Sequence, residues 1–406
     1  MKGTVHYEAR GNIALLSIDN PPVNPLSSGV RQGLFDGVTS ALADDAIEAI
    51  VLTGLHRAFI AGADISEFGA AATEGVGLGE ALDKMEGSTK PIIAAINGTA
   101  FGGGLEVALC CDYRIAAATA PVGLPEVKLG LLPGAGGTQR LPRLVGAAAA
   151  VQAIVSGNPI MAPDALAMGI VDRVAIGDIV DDAIAYAKEI VDAGAATRKI
   201  RDLEDKISAD RGDTALFEKF AANLDKTHRG QFAPAQILQC VEAAVNAKSF
   251  DEGMAVERAR FAECMSDPQR EALIHIFFAE RAANKIPGLP KDVPLLDINK
   301  GSVIGAGTMG GGIAMCFANA GIPVRVHDNE PENLARGIKV IEANYARTVS
   351  KGRLTQEEMD KRMSLIIPTE NFEDLGDGDI VVEAVYENLD LKKEIFSRLD
   401  KVMKEG

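Results

Sequence analysis

The chain has few cysteines, little excess positive charge and no long apolar run. Five cysteines in 406 residues, Cys110, Cys111, Cys240, Cys264 and Cys316, are too sparse for a disulfide scaffold. None has the spacing of a zinc site or a redox pair. They read as buried thiols in a reducing compartment, and no metal site is expected. Lys and Arg total 41 against 57 Asp and Glu, a formal net charge of -16. That balance works against a broad polyanion-binding surface, so nucleic acid is not an expected partner. No apolar stretch approaches the roughly 20 residues of a membrane span; the run from Leu144 to Val151 already stops at Gln152. The opening MKGTVHYEARGNIALLSID lacks the basic-then-apolar build of a signal peptide. Together these absences point to a soluble, cytoplasmic protein.

The length argues for two or three domains, and 47% hydrophobic with 24% charged residues is ordinary globular composition. Up to about Val174, glycine is dense and strand-like runs (Ile13–Ile18, Ile50–Thr53, Pro91–Asn97) alternate with helical ones, the pattern of an α/β layered domain. From about Asp181 to Lys285 glycine thins and the spacing turns helical, with amphipathic helices expected over Ala233–Ala247 and Asp267–Asn284. IPGLPKDVPLLD, Ile286 to Asp297, then breaks the run with three prolines. From Ile298 the order is strand (Ser302–Ile304), helix from about Thr308, strand (Pro323–His327), and later a strand at Asp379–Glu383, which is nucleotide-domain spacing.

Two segments of the first zone carry chemistry: AFIAGADISEF (Ala58–Phe68) and Asn97–Leu141. In the second, Gly102 to Gly104 open a helical pattern, leaving free N–H groups at a helix N-terminus suited to a developing negative oxygen. Glu106 sits in the first turn of that helix and Glu126 follows Pro125, 20 positions later. Two carboxylates brought to one site can share acid and base work on a single water. Taken singly, either glutamate reads as a surface residue complementing a helix dipole, and Gly134–Gly137 as a loop.

In order, AGADI, NGTAFGGGLE and GLPEVKLGLLPGAGGTQRLPRLVG resemble the crotonase superfamily of enoyl-CoA hydratases and isomerases, over about residues 1–190. The resemblance implies a ββα-spiral domain with the amides of Ala63 and Gly103 as an oxyanion hole for a coenzyme A thioester. Glu106 and Glu126 would be the two catalytic carboxylates, and possession of both favours hydration. Ser66 stands where several hydratases carry a lysine, which leaves the CoA phosphate contacts unassigned; Arg57 and Lys90 read as solvated charges.

Gly305-Ala306-Gly307-Thr308-Met309-Gly310 is a G-x-G-x-x-G run between strand and helix, answered 18 positions after Gly310 by Asp328 at a strand end. An acid there favours NAD over NADP, because it would repel a 2′-phosphate. VIGAGTMGGGIA with VVEAVYENLDLKKEIF resembles the 3-hydroxyacyl-CoA dehydrogenases, and by that resemblance Met309, Asp328, Glu387 and Lys392 lie along NAD. ALIHIFFAERAANKIPG is similar to the linker helix of the bifunctional β-oxidation family.

The expected architecture is therefore α/β: a crotonase-type domain (1–190), a helical linker region (191–295) and an incomplete Rossmann-like NAD-binding domain (296–406). The expected activity is hydration of trans-2-enoyl-CoA to 3-hydroxyacyl-CoA, with Δ3,Δ2-enoyl-CoA isomerisation or another crotonase reaction such as thioester hydrolysis, and a non-catalytic acyl-CoA-binding module, as alternatives. Acyl-CoA is the expected partner, and association with a thiolase is left open, as is a peroxisomal location. The family dehydrogenase uses a histidine and a glutamate beyond the EAVYEN segment. The only histidine after residue 300 is His327, so hydride transfer by this chain alone is not expected. With its outer neighbours missing, the strand at DIVVE should be an apolar edge and NAD affinity weak or absent.

Overall fold

Short runs such as IALLSID and AIVLTG are apolar at four or more consecutive positions, so a strand made from them must be covered on both faces. In the computed structural model, which describes residues 2–64, 75–194, 197–283, 285–290 and 292–405, that is how they are used. The first unit contains β1 (Thr4–Arg10), β2 (Ile13–Asp19), β3 (Ala49–Gly54), β4 (Ala58–Ile60) and β5 (Ile92–Ile96). It continues with β6 (Thr99–Phe101), β7 (Tyr113–Ala116), β8 (Pro121–Gly123), β9 (Ile160–Met161) and β10 (Arg173–Val174). The main sheet runs β1-β2-β3-β5-β7-β10, parallel except for β1 against β2. Along β2, β3 and β5 the side chains alternate between two cores. Leu16, Ile18, Ile50, Leu52 and Ile96 enter the larger one; Ile13, Leu15, Val51 and Ile93 meet the helix Ile179–Asp192 on the opposite face.

A second sheet, β4-β6-β8-β9, carries the informative loops. Its β4, β6 and β8 are parallel neighbours, so their carboxyl ends open at one edge. Ala63 follows β4, Gly103 follows β6 and Glu126 follows β8 within a few residues. Three sequence-distant loops therefore converge because the strands beneath them share a direction.

Among described residues the stretch from Asp181 to Lys285 holds no strand, as its periodicity predicts. Helices form over Thr214–Thr227, Ala233–Asn246, Phe250–Ser266 and Pro268–Ala283. They do not stand apart: Ile237, Cys240, Val241 and Cys264 lie in the larger core, and the compact unit extends to Ile286.

The second unit, from Pro287, has β11 (Gly301–Ile304), β12 (Val324–His327), β13 (Ile366–Thr369) and β14 (Ile380–Glu383). All pair in parallel in the order β13-β12-β11-β14. This is the 3-2-1-4 portion of a dinucleotide-binding sheet. As expected, β14 is an edge, and its Ile380 is 40% exposed. The cysteine reading needs one correction. Cys110, Cys111, Cys240 and Cys264 are buried, but Cys316 is exposed, on the outer side of the helix Thr308–Asn319.

The helix Gly103–Cys110 rides directly on β4. A side chain at Gly104 would collide with the Ile60 carbonyl oxygen, so only glycine permits this approach. Gly104→Ala should lower unfolding stability by about 1–3 kcal/mol, the usual cost of overpacking. Urea denaturation measures it, and an unchanged midpoint would show that helix and strand can separate freely.

Candidate active site

Glu106 lies one turn into the helix that Gly102 and Gly103 open, and it is buried. Its Oε1 accepts two backbone N–H groups, from Ala135 at 2.7 Å and Gly137 at 2.8 Å. Gly137 is glycine for a reason of space: a Cβ there would stand 2.9 Å from Glu106 Oε1. Glu126 begins the short 3-10 turn Glu126–Leu129. Its Oε1 lies 2.9 Å from where a Cβ on Gly102 would be, which brings the second carboxylate to the mouth of the Glu106 helix. Its Oε2 is sealed from solvent with no hydrogen-bond partner.

At the same helix start, the Ala63 amide nitrogen lies 3.7 Å from the Cβ position of Gly103. Gly103 is the first residue of its helix, and a first-turn amide has no partner within the helix. Ala63 is held by a bridge to Leu26. The four residues singled out from the sequence thus meet at the shared edge of β4, β6 and β8. Ser66 lies outside the described residues. Lys90 spends its ammonium on the carbonyls of Ala41 and Asp44, at 2.8 and 2.7 Å, and Arg57 is exposed.

A third acid, not singled out from the sequence, also reaches this region. Glu257, from the helix Phe250–Ser266, is fully buried and accepts from the Gly136 amide at 2.7 Å. The available signal was a carboxylate set in the apolar stripe Phe250, Gly253, Glu257, Cys264. One cation stands near: Arg140 pairs with buried Glu86 at 2.9 and 3.0 Å and donates to the Ala135 carbonyl at 3.0 Å.

In the second unit, Gly305 and Gly310 allow the strand, turn and helix to close on one another. A Cβ at Gly305 would stand 2.6 Å from the Ala384 carbonyl oxygen, and one at Gly310 would strike the Gly305 carbonyl. Gly307 caps the helix and faces open space, and Met309 is 74% exposed. Asp328, just after β12, accepts from the amides of Ala306 (2.9 Å) and Glu330 (3.2 Å). Lys392 bridges Glu383 at 2.9 Å and Glu387 at 3.0 Å, so the partner that the sequence reading passed over is Glu383, at the end of β14. The glycine cradle and the acid beyond β12 fit a dinucleotide. His327 is buried, its Nδ1 3.1 Å from the Thr369 carbonyl oxygen and its ring edge-on to Phe372.

Residues 8–242 match the enoyl-CoA hydratase/isomerase family. The chain belongs to that family. Residues 300–406 match the NAD-binding domain of 3-hydroxyacyl-CoA dehydrogenase. The peroxisomal bifunctional enzyme of Cavia porcellus is 39% identical over 401 residues, covering 97% of this chain and 54% of that protein. The peroxisomal bifunctional enzyme of Homo sapiens is 39% identical over 396 residues, with the same coverages of 97% and 54%. The chain spans about half the length of these relatives. A carnitinyl-CoA dehydratase structure from Mycobacterium avium 104 superposes with a TM-score of 0.50 at 25% identity, over 67% of this chain and 96% of that one.

The acids of this hydratase/isomerase unit differ in their electrostatics. Burial raises the Glu106 pKa, while the Gly137 and Ala135 amides and then Arg140 pull it back. Glu126 is pushed well above the usual carboxylate range by burial and then by the Glu106 charge. Glu257 is raised to about 8 by burial and by Glu106. The folded protein therefore keeps protons that the unfolded chain releases near pH 4. For such groups stability is full below the unfolded pKa and is lost as pH rises through the folded one. Unfolding free energy should fall between about pH 4 and pH 8, and less steeply in Glu126→Gln. Urea titrations at pH 5 and pH 8 report this; equal slopes for both proteins would place the proton release elsewhere.

Proposed function

We propose that the first unit, taken as residues 1–286, adds water across the double bond of a trans-2-enoyl-CoA to give the 3-hydroxyacyl-CoA. The observation that carries the reading is the convergence of buried Glu106 and of Glu126, its Oε2 sealed from solvent, on the helix start where the amides of Ala63 and Gly103 lie. Those amides would receive the thioester carbonyl oxygen. Their donors draw electron density from C3 and stabilise the enolate-like state as charge moves onto that oxygen.

The surroundings divide the labour. Glu106, held by two amides and influenced by Arg140, is the more easily ionised and accepts a proton from water as its oxygen bonds to C3. Glu126, whose Oε2 has no partner to stabilise a charge, retains its proton and delivers it to C2. The water O–H bond, the Glu126 O–H bond and the C2=C3 π bond break while Glu106 O–H, C3–O and C2–H bonds form, and a proton returning from Glu106 to Glu126 resets the pair. The relatives' names favour a peroxisomal setting, and buried thiols fit any reducing compartment.

Glu106→Gln and Glu126→Gln should each reduce kcat for crotonyl-CoA hydration by about 10²–10³-fold, the scale of losing a positioned acid or base, with little change in KM. The wild-type rate should fall as pH rises through the Glu126 pKa, and Glu126→Gln should lack that limb. Full turnover in both variants would remove the pair from the mechanism.

For the second unit we infer NAD binding. Gly305, Gly307 and Gly310 would face the pyrophosphate, Met309 would lie along the dinucleotide, and Asp328 would take the ribose hydroxyls. Glu387 and Lys392 would flank the bound molecule. When bound, NAD supplies a hydride acceptor. His327 is committed to packing, so we assign no base for hydride transfer within this unit. The Asp328 carboxylate should make NADH bind at least tenfold more tightly than NADPH, and Asp328→Ser should narrow that gap. Fluorescence titration measures both; equal affinity in the wild type would remove Asp328 from the ribose.

A further inference from the structure

Glu257 stands 121 residues beyond Gly136 in sequence, yet both its oxygens are committed to the segment after Pro133. Oε1 accepts from the Gly136 amide at 2.7 Å. Oε2 accepts from the Thr138 amide at 3.2 Å and from the Thr138 hydroxyl. The intervening amides, of Ala135 and Gly137, donate to Glu106 Oε1. Four consecutive N–H groups thus alternate between two acids, one on each side of the chain. The Thr138 hydroxyl also accepts from Gln139 Nε2 at 2.9 Å, and Gln139 Nε2 donates onward to the Cys240 carbonyl at 2.9 Å. The segment is fixed to the two helices Ala233–Asn246 and Phe250–Ser266 as well as to Glu106.

A carboxylate accepting two amides points where those amides place it. Release of the Glu257 side would let Gly136 and Thr138 turn, and Ala135 and Gly137 would turn with them. Glu257 has no other visible work: its neighbours on the buried stripe are Phe250, Gly253 and Cys264. An acid placed there needs compensation for its lost hydration, and the alternating amides supply it.

We propose that Glu257 is a positioning residue of the hydratase, holding the Ala135–Thr138 segment so that its amides aim the Glu106 carboxylate at the attacking water. The inference rests on the hydratase reading. Glu257 itself does not meet the substrate; it acts through the loop.

The charged and titratable groups around Glu257 are Glu106, Glu126, Arg140 and Cys240, with the Thr138 hydroxyl in direct contact. Burial and the Glu106 charge both raise Glu257. Loss of the Glu257 contacts would loosen the Ala135 and Gly137 amides, which lower the Glu106 pKa.

The test uses the full chain with Glu257→Gln, Glu257→Asp and Thr138→Val. Misaiming a base by about 1 Å costs up to about 10²-fold in rate. Glu257→Gln is expected to lose about 10–10²-fold in kcat for crotonyl-CoA, keep KM within about twofold, and move the Glu106 limb of the pH profile to higher pH, because the Ala135 and Gly137 amides that lower it lose their aim. Glu257→Asp should recover part of kcat. Hydrogen exchange of the peptide spanning 134–140 should quicken in Glu257→Gln. A folded Glu257→Gln with wild-type kcat, pH profile and exchange would overturn the proposal. If that variant does not fold, Thr138→Val decides: lower kcat at constant KM supports the proposal, and unchanged kcat overturns it. A wild-type chain without turnover would instead sink the hydratase reading, and the exchange measurement would still decide whether Glu257 holds the segment.

Discussion

Burying a carboxylate removes its water, and the cost must be met by charge pairing, by hydrogen bonds or by protonation. Two acids, Glu106 and Glu257, are buried around one loop of this protein and a third, Glu126, has its Oε2 sealed from solvent beside them, and the nearby cation, Arg140, is already paired with buried Glu86. The hydratase/isomerase site is therefore stabilised chiefly by main-chain amides. The segment turns through left-handed Gly136 into the helix Gly137–Val145, and its four successive amides serve an acid on either flank. This explains the glycines at Gly134, Gly136 and Gly137: side chains there would strike Phe261, Arg140 and Pro133 with Glu106. Glu126 receives no such donor on Oε2 and remains the group held protonated. On the proposed mechanism, the difference between acid and base follows from where the amides run out.

The strand layout supplies the other half. Parallel β4, β6 and β8 deliver their following loops to one edge, so the Ala63 amide, the Gly103 helix start and Glu126 come from three chain segments without any long loop among described residues. The Gly103–Cys110 helix places Glu106 just behind its own amide terminus. The Glu106 carboxylate takes two amides of the facing loop and leaves its own helix's first amides available for a carbonyl oxygen.

Much of this was legible in the sequence because the signals are local. A triple glycine before a helical pattern, an acid in the next turn and another after Pro125 are each short-range statements about backbone and side chain. The G-x-G-x-x-G run with Asp328 is equally local, and the parallel β11–β14 sheet follows from strand and helix spacing. Glu257 was not legible, since its partners lie 119 and 121 positions away and helical periodicity cannot say which core an acid enters. Glu383 escaped for a related reason. As the last residue of β14 it reads as a strand terminus, and only the return of the next helix places Lys392 beside it. Cys316 was misread because a helix rich in glycine and alanine gives little sign of which side faces out.

The two units also handle acids in opposite ways. In the second unit, Glu383 is held below the usual range even though burial alone would raise it, because Lys392 and the Val385 amide outweigh that burial. In the first, amides do not fully offset deeper burial, so Glu106 is raised and Glu126, with fewer donors, is raised further. On the functions proposed for the two units, the contrast matches their ligand chemistry. A group that orients a cofactor benefits from fixed charge, which a lysine secures. A pair that must pass a proton to and from carbon needs members near the point of ionisation, and a nearby dedicated cation would hold both in the charged form and leave no acid to deliver.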